Sequence, residues 1–143
     1  MDATDRFPTL LIAEDQSELR EALAAMLSGQ GYRILGPAAD GAEAVRLAED
    51  SPPDVALLDY RMPEIDGLTA ATQIRALSPN VQIVMFTAYD EPSLSRDAGR
   101  AGISAFLVKG CAPSEILQAL RQAWKSKQRL DSQPAMRIFP RAG

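Results

Sequence analysis

The sequence predicts a doubly wound α/β domain, an open parallel sheet with helices on both faces. Three observations carry that prediction. Five short apolar runs alternate with five stretches of helical spacing. Three of the runs are nearly continuous in apolar character, as a strand covered on both faces must be. The connections between runs and helices are short, which implies right-handed crossovers between parallel strands.

The elements follow in order. The first run is "TLLIA" (9–13), after which Leu19, Leu23, Met26 and Leu27 share a helical face that Gly29 and Gly31 bring to a stop. The second run is "YRILG" (32–36); Ala44, Val45 and Ala48 then follow Asp40-Gly41 and end before Pro52-Pro53. "DVALLD" (54–59) is the third, followed by Ala70, Ile74 and Leu77 ahead of "SPN". "VQIVMF" (81–86) is the fourth, followed by Leu94, Ala98 and Ala101 before Gly102. "ISAFLV" (103–108) is the fifth, and Ile116, Leu120, Ala123 and Trp124 continue behind Ser114, read as a cap beside Pro113. Five strands fit the flavodoxin-like order 2-1-3-4-5. Residues 130–143 have no periodicity and two prolines, so the domain is drawn at 1–129 with a tail or linker start at 130–143.

Composition narrows the chemistry. The 143 residues suit one domain, with 46% hydrophobic and 24% charged residues, as in a soluble globular protein. No apolar run reaches the roughly 18 residues that cross a bilayer. The amino terminus, "MDATDRFPTL", is acidic where a signal peptide is basic, and the expectation is a cytoplasmic protein that makes no membrane contact. There is one cysteine and no histidine, which excludes a disulfide framework, a histidine-based triad and a histidine-ligated zinc. A metal here is a hard cation held by oxygens. The net charge of −4 divides into +5 over residues 121–143 and −9 elsewhere. A basic end can touch nucleic acid, but cations near a helix C-terminus complement its dipole and keep a tail solvated, so the structural reading comes first.

Ligands of an open parallel sheet bind at the carboxyl ends of its strands. There the first run delivers Glu14-Asp15, the third Asp59, the fourth Thr87 and the fifth Lys109; the second ends in Gly36-Pro37 and delivers nothing chemical. Taken singly, each has an ordinary explanation as a turn, cap or surface residue. Together they place complementary charges on one edge. Three clustered carboxylates repel and require compensation. Lys109 offsets one charge, and an all-oxygen site suits Mg2+ for the rest. A cation beside a carboxylate, with a lysine and a hydroxyl aimed at the same point, is a phosphoryl-transfer arrangement with Asp59 as nucleophile.

"LLIAED" with Arg20, "DVALLDYRMPEIDG", "VMFTAY" and "AFLVKG" resemble, in order and spacing, the receiver domain of two-component response regulators, over roughly residues 8–129. The resemblance implies phosphorylation of Asp59 by a phosphohistidine on a sensor histidine kinase or phosphotransfer protein. It implies Mg2+ held by Asp15, Asp59 and the backbone carbonyl of Arg61, with Glu14 acting through water. It implies that Thr87 and Lys109 stabilise the phosphoryl group, that Phe106 with Thr87 forms the switch, and that Arg61 and Tyr89 tune the lifetime. The zero-histidine composition agrees, since the donor must come from outside. A homodimer on phosphorylation is compatible with the family, and nucleic acid enters only through an output domain outside this chain. Such a domain is a signalling module, not a turnover enzyme, either standing alone or cut from a longer regulator.

Departures from the commonest family pattern sharpen the expectations. The acidic pair is Glu-Asp, and Lys109 is followed by glycine rather than proline. Bulky Arg61 and Tyr89 hinder an attacking water, so the phosphorylated state is expected to last many minutes. Gly99 is expected to leave its helix face underfilled and that helix mobile, as part of the output surface. Cys111 is incidental, and Ile116 and Trp124 are core or dimer-face residues. Two rivals fare worse: a flavodoxin-like cofactor binder meets an acidic loop at "AEDQSELR", and a Mg2+-dependent aspartyl phosphohydrolase lacks a second acid where Arg61 stands.

Overall fold

The computed structural model describes residues 7–88, 96, 97, 99 and 101–133. Among these the order is β1 (Thr9–Ala13), α1 (Ser17–Gly29), β2 (Arg33–Ala38), α2 (Gly41–Asp50), β3 (Val55–Asp59), α3 (Gly67–Leu77), β4 (Gln82–Thr87), β5 (Ala105–Val108) and α4 (Pro113–Asp131). The strands form one parallel sheet in the order β2-β1-β3-β4-β5, as the sequence predicts. No helix among the described residues is long and apolar enough to cross a membrane.

Side chains alternate between the two faces of the sheet. Leu10, Ile12, Val55, Leu57, Val84 and Phe86 pack with Leu23 and Leu27 of α1 and Ile116, Leu120 and Ala123 of α4. Leu11, Ala13, Ala56, Leu58, Ile83 and Met85 pack on the other face with Ala44, Val45 and Ala48 of α2 and Ala70, Ala71 and Ile74 of α3. Every residue of β3 and β4 is buried, which explains their unbroken apolar reading. Ile116 is therefore a core residue, while Trp124 is partly buried beside it.

The two Asp-Gly pairs serve one design. Asp40 caps α2 by accepting the Glu43 N–H at 2.7 Å, and Asp66 caps α3 by accepting the Thr69 N–H at 2.8 Å. The glycine that follows each lets the helix start press on a loop. A Cβ at Gly41 would collide with Ile65, and one at Gly67 with the carbonyl oxygen of Asp59.

Four expectations change in detail. β2 does not stop at Gly36-Pro37 but runs through it to Ala38, tolerated because β2 is an edge strand. Leu77 is 47% exposed, being the last residue of α3 beyond the packed stretch. Ser114 is not the cap of the last helix: Ala112 precedes it and Pro113 takes the first turn, where its fixed φ and missing N–H cost nothing. That helix runs to Asp131. Gly99 is exposed and, among the described residues, a Cβ there would meet nothing within 4 Å, so it leaves no face packed against them underfilled. Leu94 and Ala98 lie outside the described residues, as does most of the segment expected to move.

Candidate functional site

Alternation decides which side each strand-end group takes. Glu14 continues the row of Leu10 and Ile12, Asp59 that of Val55 and Leu57, and Lys109 that of Ala105 and Leu107, all toward α1 and α4. Thr87 continues the row of Ile83 and Met85 toward the opposite face, where Phe106 also packs. The charged groups and the hydroxyl-aromatic pair thus approach the sheet edge from its two sides.

Glu14 is held by backbone. Its N–H donates to the carbonyl of Ala38 at 3.0 Å, and its Oε2 accepts the Gln16 N–H at 3.0 Å. The Arg20 guanidinium donates to the carbonyls of Glu14 at 3.0 Å and Asp15 at 3.3 Å, fixing the acidic loop from below. The second strand therefore does contribute at this edge, through the Ala38 carbonyl, because it runs two residues further than the apolar pattern indicates. Arg20 and Ala38 act through backbone contacts, and side-chain chemistry in the sequence gives no sign of the second.

Lys109 closes the cluster. Its ammonium stands 2.8 Å from Glu14 Oε1 and 3.0 Å from Asp59 Oδ2. Glu14 is 1% exposed and Asp59 4%, so these are buried charges that demand partners. The carbonyl of Thr87 accepts the Lys109 N–H at 2.6 Å, which ties the lysine loop to the end of β4.

The electrostatics follow from crowding. The Asp59 carboxyl is pushed up to about 6, first by burial, against the hydrogen bond from Lys109, with Glu14 and Asp15 adding to the rise. Burial alone would lower the Lys109 ammonium, but Glu14 and Asp59 outweigh it and hold it above the ordinary lysine range. Burial and the nearby Glu115 push the Cys111 thiol up, which keeps it protonated and unreactive.

Glu14, Asp15 and Asp59 each offer a carboxylate oxygen, and these atoms lie within 4.8 Å of one another. Oε1 of Glu14 is buried, and its partner is the Lys109 ammonium. An oxygen-only donor set with one carboxylate exposed to solvent and a net charge of −2 after Lys109 fits a hard divalent cation that keeps several waters.

The remaining predicted residues surround this cluster. Thr87 is fully buried at the end of β4, and Phe106 is half-buried on β5. Arg61 is exposed in the loop after β3, its guanidinium 5.6 Å from the centre of the Tyr60 ring. Tyr89 lies outside the described residues. One feature of that loop escapes sequence reasoning: Glu64 has φ of 75°, between a Pro63 carbonyl and an Ile65 N–H that meet at 3.0 Å. A tight turn of this hand at a non-glycine residue is strained.

The chain matches the response regulator receiver domain family over residues 10–121. It is 42% identical over 116 residues to the transcriptional regulatory protein PdtaR of Mycobacterium tuberculosis, covering 80% of this chain and 55% of that protein. The chain thus spans about half the length of that relative. It is 32% identical to the chemotaxis protein CheY of Thermotoga maritima, covering 81% of this chain and 97% of that one. Among solved structures it resembles the receiver domain of NarL from Mycobacterium tuberculosis, with a TM-score of 0.78, 33% identity and coverage of 84% and 98%. It also resembles the CheX–CheY–BeF3–Mg2+ complex from Borrelia burgdorferi, with a TM-score of 0.78, 27% identity and coverage of 87% and 95%. With the sheet order and the acidic edge already in place, these matches make the chain a member of the receiver domains of two-component response regulators, a family of signalling domains.

Proposed function

We propose that Asp59 accepts a phosphoryl group from a phosphohistidine on a sensor histidine kinase or phosphotransfer protein, and that the domain then changes shape to control an output. The observation that carries this reading is the approach of three carboxylates to within 4.8 Å of one another, with Lys109 bridging two of them. Such an arrangement is costly for a fold and is explained by the chemistry it permits.

Asp15, Asp59 and the backbone carbonyl of Arg61 would hold Mg2+, with Glu14 reaching it through water. When bound, the ion supplies positive charge against the oxygens of the incoming phosphoryl group. A structural neighbour whose structure contains BeF3 and Mg2+ supports this assignment. An Asp59 carboxylate oxygen attacks phosphorus, forming an O–P bond as the donor's N–P bond breaks and the imidazole leaves with its electron pair. Lys109 is already beside that carboxylate and pairs with the transferred anion. The Thr87 hydroxyl hydrogen-bonds to a phosphoryl oxygen, and Phe106 on the same sheet face turns inward as Thr87 moves.

The receiver domain is read as residues 1–129, with 130–143 as a tail or the start of a linker. The protein is read as cytoplasmic, with DNA or RNA contact left to an output domain. Incubation with Mg2+ and acetyl phosphate tests the central reading. Intact-mass analysis is expected to show one added phosphoryl group, absent in Asp59→Ala; addition to that variant at the same level would overturn it.

A further inference from the structure

The strand order sets a geometric problem for Lys109. Asp59 ends β3 and Lys109 follows β5, with β4 between them. Adjacent strands lie ~4.8 Å apart, so the lysine reaches the carboxylate only by crossing the end of β4. What it crosses is determined by pairing. Asp59 is the register partner of Phe86, and Phe86 that of Leu107, so all three project from the same face as Lys109. The side chain under the crossing is therefore Phe86. Its ring is 4% exposed, and the Lys109 ammonium lies 5.8 Å from the ring centre.

We propose that Phe86 is a positioning residue, whose ring face is the floor that keeps the Lys109 ammonium aimed at Asp59. This rests on the reading of Asp59 as the phosphoryl acceptor. An ammonium is attracted to the face of an aromatic ring by the ring's quadrupole, an attraction that strengthens where water is excluded. An aliphatic side chain would exclude water equally but would not attract the charge. The ammonium would then be held only by Glu14 and Asp59, and its excursions toward solvent, where it is better hydrated, would be more frequent. The ring below, Glu14 on one side and Asp59 ahead together bound the ammonium.

The test varies ring charge without changing ring shape. Phe86 is replaced by 4-fluoro-, 3,5-difluoro- and 3,4,5-trifluorophenylalanine, and the rate of phosphoryl addition from acetyl phosphate is measured at saturating Mg2+. Successive fluorines weaken the face, so the rate is expected to fall stepwise to about one-third, with the unfolding midpoint and the Mg2+ affinity unchanged. Equal rates across the series would overturn the proposal. A readout that needs no phosphoryl transfer separates this inference from the reading beneath it. In wild type the ε-methylene protons of Lys109 are expected to be shifted upfield by the ring current, and to return toward ordinary lysine values in Phe86→Leu. Ordinary shifts in the wild type would overturn the seating of the lysine, even if Asp59 is the acceptor.

Discussion

Lys109 and Glu14 meet at 2.8 Å in a place where Glu14 is almost wholly removed from water. The two residues come from opposite flanks of the site, one after β1 and the other after β5, and β3 and β4 lie between them. The contact therefore ties the site together across four strands, and it joins the apo fold's stability to the position of the lysine.

Removing the lysine should damage stability and function together. Lys109→Met leaves Glu14 buried without its counter-charge, a change expected to cost about 3 kcal/mol. Glu14→Gln in the same background should restore most of the unfolding free energy but not phosphoryl acceptance, which is expected to fall by about 100-fold in either Lys109 variant. Chemical denaturation and the rate of reaction with acetyl phosphate measure the two effects separately.

The pH dependence follows from the raised carboxyl of Asp59. Its ordinary value is 3.8 and its folded value is about 6. Between these values the folded chain holds a proton that the unfolded chain has lost, so this group's contribution makes the protein less stable as pH rises. Above about pH 6 the full cost of the ionised acid is present. Mg2+ competes with that proton. At pH 7.5 and ten times its dissociation constant, Mg2+ should add about 1.4 kcal/mol of stability, and the gain should shrink below about pH 6. Thermal unfolding with and without Mg2+ across this range, compared with Asp59→Asn, measures it.

Gly67 should tolerate no side chain. Its N–H donates to the Tyr60 carbonyl at 2.7 Å, and a Cβ would strike the Asp59 backbone. Gly67→Ala is expected to destabilise by about 2 kcal/mol through displaced packing. It should also weaken Mg2+ binding, because the displaced peptide leads to the Arg61 carbonyl. Denaturation and Mg2+ titration calorimetry on the variant report both.

The lifetime of the phosphorylated state should depend on Arg61. Arg61 is exposed two residues beyond Asp59, with its guanidinium over the Tyr60 ring. The wild-type state is expected to persist for many minutes, and Arg61→Gly to shorten it several-fold. Loss of the added mass after removal of the phosphodonor gives the half-life of each.

Much of this was legible in the residues. The unbroken apolar runs at β3 and β4 exposed the parallel sheet, and the acids and lysine at the strand ends pointed to the candidate site, because side-chain type carries both signals. The parts that stayed hidden are carried by backbone or by pairing. The Ala38 carbonyl holds Glu14 because β2 passes through Gly36-Pro37, a pair that reads as a stop. Phe86 looks like ordinary core until strand order places it beneath Lys109. Gly99 reads as a defect because helical periodicity alone does not reveal that it faces open space among the described residues. Ser114 reads as a cap because its side chain suits one, whereas the neighbouring proline determines where the helix begins.

The most direct measurement is the position of the phosphoryl group itself. After reaction with acetyl phosphate and Mg2+, reduction with borohydride converts an aspartyl phosphate to homoserine, which peptide sequencing locates. The account predicts homoserine at residue 59 alone, and none when Mg2+ is chelated beforehand. Homoserine at Asp15 or Asp54, or a yield at residue 59 that chelation leaves unchanged, would contradict it.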